Sequence, residues 1–195
     1  DSLGHHTADS ADETVIKVTK VVDADGVARW RVALPSTQEW LSRLNGDQGA
    51  VNDLDSNLAL MLAPSLRSQY DRAVLAAMQQ AGVGPNDPVM LVGFSQGGIM
   101  ALSLLLTRPE LLHAAVVWHS RLLAQVLPLQ ASHDALHGKK LWLSHGTHDN
   151  VIPLANAQAI AHHMATLPVS VTYREYPSEH EIRPSELAAT VAWLE

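Results

Sequence analysis

The chain has 195 residues, 47% hydrophobic and 17% charged, which suits one domain with a real core and argues against a disordered chain. A net charge of −7, from 13 basic and 20 acidic residues, argues against a nucleic-acid partner, because phosphate binding needs a basic face. The absence of cysteine excludes disulfide scaffolds, thiolate metal sites and cysteine nucleophiles, and no apolar run approaches the roughly 20 residues that span a bilayer, so integral membrane association is not expected.

In chain order, residues 1–13 are polar and read as a loose tail ahead of a single domain over 14–195. No signal-type apolar segment is visible there, which tilts the expectation towards the cytoplasm, with a secreted mature form as the alternative. Thr14–Asp23 and Val27–Leu34 alternate and are rich in Val, so they read as strands of a hairpin that turns at Asp23-Ala24-Asp25-Gly26. Pro35–Asp55 reads as loop, and Asn57–Leu62 as a short helix. Ser65–Ala81 has helical spacing and stops at Gly82. Then strands and helices alternate: Pro88–Phe94 strand, Gln96–Thr107 helix, Ala114–His119 and Lys140–His145 strands, Leu154–Leu167 helix, Val169–Tyr176 strand. A closing helix over Pro184–Leu194 places Leu187, Val191 and Leu194 on one side. This alternation implies an α/β fold, with a mostly parallel sheet covered by helices on both faces.

The sharpest motif is Gly93-Phe94-Ser95-Gln96-Gly97, with an apolar strand before it and a helix after it. That context suits a serine nucleophile at the apex of a tight strand-to-helix turn, with glycine needed at 93 and 97 where side chains would clash. A dinucleotide loop fits less well, since Ser95 stands where G-x-G-x-x-G needs its second glycine. A serine hydroxyl needs a histidine base, and the order expected for such a fold is Ser, acid, His. His180 lies in the loop between the last strand and the last helix, and Asp149 is the only carboxylate of His145–Pro153. Taken singly, Asp149 would pass for a helix cap and His180 for a surface residue; in this order and these loops they complete a triad with Ser95. Reading His145, His148 and His180 as a metal cluster is the weaker alternative, and neither metal nor cofactor is expected.

An oxyanion hole needs two N–H donors. Gln96 is the first candidate, as the residue after the nucleophile. The second belongs to Leu34–Trp40: Pro35 has no N–H, which leaves Thr37 or Gln38, with Ser36 as a further option. Ser36, Trp40, His119 and Ile152 are the candidate walls of a substrate pocket.

Residues 86–195 resemble the phospholipase/carboxylesterase family, which includes the acyl-protein thioesterases; the resemblance rests on GFSQGG (93–98), HGTHDNVIP (145–153) and SEHEI (178–182). It implies an α/β-hydrolase fold, a triad of Ser95, Asp149 and His180, Gln96 as oxyanion donor, and cofactor-free hydrolysis of small-molecule esters or thioesters. The first half departs from that family: its His-Gly-Leu-Gly-Asp oxyanion loop is absent, and Pro35-Ser36-Thr37 stands there instead. Residues 15–92 look similar to uncharacterised actinobacterial α/β-hydrolases, through LPSTQEW and DLDSNLALM. Glu179 precedes His180 where the family commonly has glycine, and Trp118-His119-Ser120 replaces a small-residue segment near the expected pocket. The expectation is a minimal, lidless esterase for short to medium acyl chains. Acyl transfer by the same triad and a non-catalytic scaffold are the rival readings.

Overall fold

The structure is a computed structural model and describes residues 16–22, 24–34 and 64–194. The expected tail, the loop over 35–55, the short helix over 57–62, and with them Ser36, Thr37, Gln38 and Trp40, lie outside the described residues.

Strands β1 (Lys17–Val22) and β2 (Ala28–Leu34) form the expected antiparallel hairpin, and Gly26 takes φ +76° in its turn. Helix α1 (Pro64–Ala81) stops at Gly82, whose φ of +86° is open to glycine at little cost. Strand β3 (Val89–Phe94) runs into α2 (Gln96–Thr107), then β4 (Ala114–Trp118), the single turn α3 (His133–Leu136) and β5 (Lys140–Gly146). Helix α4 (Leu154–Met164), β6 (Ser170–Tyr176) and α5 (Pro184–Leu194) close the chain. The strands lie in sequence order, β1 to β6, and every pair after the hairpin is parallel.

That order follows from the handedness of crossovers. Right-handed connections that always step the same way along a sheet put their helices on one face. Residues of one pleat parity, such as Leu91, Ala115, Val117, Leu141 and Leu143, accordingly pack into one core with Val74 of α1, Leu105 of α2 and Ile160 of α4. The opposite parity, Met90, Ala114, Val116, Trp118 and Trp142, forms a smaller cluster under Ala189, Trp193 and Leu194 of α5. Both faces are covered, but among the described residues α5 alone serves the second. None of the described helices is long and apolar enough to cross a membrane.

Helix α5 departs from its sequence reading. Leu187 and Val191 are 48% and 43% exposed, whereas Glu186 and Thr190 are buried. The inward face runs through Glu186, Ala189, Thr190 and Trp193, because the large indole of Trp193 packs at a tilt against Trp142, with ring centroids 5.9 Å apart, while Thr190 takes the indole N–H of Trp118 at 3.2 Å. Leu187→Glu is therefore expected to change unfolding free energy by less than about 0.5 kcal/mol in urea denaturation. A cost of several kcal/mol would restore the original face.

Candidate active site

The carboxyl ends of β3 to β6 share one rim. Phe94 pairs with Trp118, Trp118 with Ser144, and Gly146 with Tyr176, so the residues that follow each strand emerge together. Ser95 sits in the turn from β3 to α2 with φ 54° and ψ −116°, a backbone that non-glycine residues rarely adopt. The turn is held by Ser95 N–H donating to the Trp118 carbonyl at 2.9 Å and by the Ser120 hydroxyl donating to the Ser95 carbonyl at 3.0 Å. A Cβ at Gly93 would strike the carbonyl of Gly97, and one at Gly98 would lie 2.9 Å from the Ser120 Cβ. The need for glycine expected at 93 is met, and a further steric need falls at 98.

His180 reaches the same point from the loop after β6. Its Nε2 lies 2.9 Å from Ser95 Oγ and its Nδ1 lies 2.8 Å from Asp149 Oδ2. The imidazole is partly open, at 16% side-chain exposure, and Phe94 packs on it with ring centroids 4.8 Å apart. The loop comes this close only because Gly146 has no side chain: a Cβ there would strike the Ser178 carbonyl.

Asp149 is buried and fully bonded. Oδ1 accepts from the N–H of Val151 at 2.9 Å and of Ile152 at 2.8 Å, while Oδ2 faces His180 and, at 3.1 Å, His119 Nδ1. Burial alone would push its carboxyl up, but the bonds from His180, Ile152, His119 and Val151 outweigh it and hold the group below its ordinary 3.8. His145 donates its Nε2–H to the Ile152 carbonyl at 2.7 Å, and burial pushes its imidazole down, so it stays neutral.

The structure therefore brings Ser95, His180 and Asp149 together. Gln96 opens α2, so its N–H belongs to the first turn, which has no intrahelical acceptor. Strand β2 ends at Leu34, opposite Gly93, and Thr37 and Gln38 lie beyond it, outside the described residues. His119 and Ile152 need correction as pocket walls. His119 is 0% exposed, because both its ring nitrogens are bonded beneath Asp149, and Ile152 is 2% exposed and serves Asp149 through its backbone. The His148 side chain is exposed and, among the described residues, meets Thr147 rather than His145 or His180, so the three histidines do not converge. His119, Asp149 and His180 do, with ligand-type atoms within 4.8 Å of one another, and the contacts of 3.1 and 2.8 Å between them have the length of hydrogen bonds. The cleft of about 640 Å³ lined by Arg29, Asp87, Glu110 and His113 opens at the amino ends of the strands, away from Ser95.

Sequence reasoning missed Glu186. Its Oε2 meets His119 Nε2 at 3.3 Å, and its Oε1 accepts the Ser144 hydroxyl at 2.6 Å. The signal was available in Trp193, whose bulk marks the buried face of α5 better than Leu187 does.

A sequence profile of the phospholipase/carboxylesterase family matches residues 66–195. The chain belongs to the phospholipase/carboxylesterase family. Among solved structures it is similar to the Bacillus cereus carboxylesterase, at 19% identity and TM-score 0.58 over 72% of this chain and 61% of that one. It is similar to esterase PE8 at 27% identity and TM-score 0.55, over 67% and 59%. It also resembles acyl-protein thioesterase 2 of Zea mays at 20% identity and TM-score 0.53, over 63% and 62%. The chain thus spans about three fifths of the length of these structures.

Two outcomes test the site. Gly146→Ala is expected to displace the loop carrying His180 and to slow labelling of Ser95 by a fluorophosphonate at least about tenfold, read by intact mass. Because the Asp149 carboxyl is depressed in the fold, its stabilisation is complete above pH 3.8 and fades as pH falls through the folded value. Asp149→Asn should then cost roughly 3 kcal/mol at pH 6 in urea denaturation, and the deficit should shrink as pH falls below 3.8.

Proposed function

We propose that the chain hydrolyses carboxylic esters of short to medium acyl chain through an acyl-enzyme. The single observation that carries this reading is the continuous hydrogen-bonded path Ser95 Oγ–His180–Asp149, with bonds of 2.9 and 2.8 Å. His180 takes the Ser95 proton as Oγ attacks the acyl carbonyl, then gives it to the departing alcohol. A water deprotonated by the same imidazole attacks the acyl-enzyme and releases the acid. Asp149 holds His180 with Nδ1–H towards the carboxylate, which leaves Nε2 free to accept, and it stabilises the imidazolium. The N–H of Gln96, at the positive end of α2, is the first oxyanion donor, and Thr37 or Gln38 supplies the second. Membership of the phospholipase/carboxylesterase family supports ester or thioester chemistry in general. The connections 147–153 and 177–183 beside Ser95 are short, so neither of these two loops forms a lid over it.

The strained backbone of Ser95 favours this reading over a scaffold, since such geometry persists where the surroundings over-determine it for use. Purified protein is expected to hydrolyse p-nitrophenyl acetate and butyrate, with Ser95→Ala lowering kcat/KM at least about 10³-fold. Activity that survives Ser95→Ala removes Ser95 from the chemistry. Thioester turnover above ester turnover would move the assignment to a thioesterase, like the similar Zea mays protein. Esters or amides formed with an added acceptor would make it an acyltransferase.

A further inference from the structure

We propose that His119 and Glu186 form a second, wholly buried imidazole–carboxylate pair that positions Asp149, and that His119 carries a proton on both ring nitrogens, one donated to each carboxylate. The inference rests on the esterase reading for its kinetic consequence, and on geometry alone for the pair itself.

Proton counting carries it. The side chains of His119, Asp149 and Glu186 are all 0% exposed. Asp149 Oδ1 is occupied by two backbone N–H groups, and Oδ2 receives His180. Glu186 Oε1 accepts the Ser144 hydroxyl, whose oxygen in turn accepts the Trp142 indole N–H at 3.1 Å, so the hydroxyl hydrogen is committed to Glu186. What is left is one imidazole between Asp149 Oδ2 at 3.1 Å and Glu186 Oε2 at 3.3 Å. Ionised carboxylates only accept, so each asks that ring for a proton. The ion pairs of both carboxylates, among the described residues, are to histidines alone. Two buried anions this close need a cation between them, and His119 occupies that place. The Gly146 N–H also points at His119 Nδ1, but at 3.4 Å; a lone pair there would face the Asp149 carboxylate, so the shorter, charged contact decides.

The backbone shows that the placement is enforced. His119 takes φ +48° just after β4, a left-handed conformation uncommon for a residue other than glycine, and its N–H is tied to the Ser144 carbonyl at 2.9 Å. The groups facing the ring come from four elements: Asp149 from the β5–α4 loop, His145 of β5 at 5.2 Å, His180 of the β6–α5 loop edge-on at 5.8 Å, and Glu186 of α5. Tyr176, at the end of β6, senses Glu186 through space. Burial pushes the His119 imidazole down, yet the bonds to Glu186 and Asp149 outweigh it and raise the group above its ordinary 6.5.

His119 and His180 share one oxygen of Asp149, at 3.1 and 2.8 Å. His119 is thus a positioning residue that acts on the proposed base through that carboxylate.

The experiment uses the full chain, labelled with ¹⁵N at histidine, and long-range ¹H–¹⁵N correlation at pH 7.5. The expected result is one histidine with both ring nitrogens protonated, absent from Glu186→Gln and from His119→Asn. A native spectrum in which every histidine is neutral at that pH overturns the pair, whether or not either variant folds. In parallel, Glu186→Gln is expected to lower kcat for p-nitrophenyl butyrate at least about tenfold with KM little changed, and Glu186→Asp to recover part of it. A packing role would lower stability and leave kcat of the folded variant in place, which would overturn the positioning part. Wild-type protein that cleaves no ester sinks the esterase reading, while the spectrum still decides the pair.

Discussion

The rim of this sheet is arranged around one carboxylate, Asp149, whose side chain is shielded from bulk solvent. Asp149 takes two backbone N–H bonds on one oxygen and two imidazoles on the other, so its charge is met by local donors. An ionised carboxylate out of water is tolerable only when its lone pairs are satisfied, and that need dictates where three chain segments end up. The 147–153 loop must curl back on its own aspartate. The loop after β6 must bring His180 over it, and the end of β4 must turn left-handed to put His119 below it.

The sheet makes this convergence cheap. Parallel strands in sequence order end on the same rim, so each following residue starts within a strand spacing or two of its partners. Fine approach is then set by missing side chains. Gly93 lets α2 begin against β3, Gly98 lets β4 close over the turn, and Gly146 lets the histidine loop lie on β5. Backbone strain at Ser95 and His119 is stored beside these contacts, where packing from both cores holds it in place.

Helix α5 couples the stability of the second face to the chemistry of the rim. Ala189, Trp193 and Leu194 cover that cluster, and the same face carries Glu186 and Thr190 inward. A buried glutamate is an expensive way to fill a core, so its retention among Ser144, Trp142 and His119 marks a polar network in which every described member has a partner. The two imidazoles on Asp149 differ in access. His180 meets solvent and Ser95, while His119 is sealed between carboxylates.

Much of this was legible in the residues. Alternation of strand and helix patterns located all described strands and the long helices to within a few residues, because hydrophobic period is a local property. The serine turn, Asp149 and His180 were readable because tight turns and strand-end loops leave local marks in glycine and in order along the chain. The facing of α5 was not, since Leu187 and Val191 make as good an apolar stripe on paper as Ala189 and Trp193; only packing against Trp142 chose between them. For the same reason His119 read as a pocket wall and Glu186 went unnoticed. The sequence by itself determined the order of elements and the motif residues, whose constraints act within a few positions of the chain. Only the tertiary structure decided which polar side chains share a proton across 30 to 67 residues, because that depends on where strand ends and a helix face meet in a space closed to water.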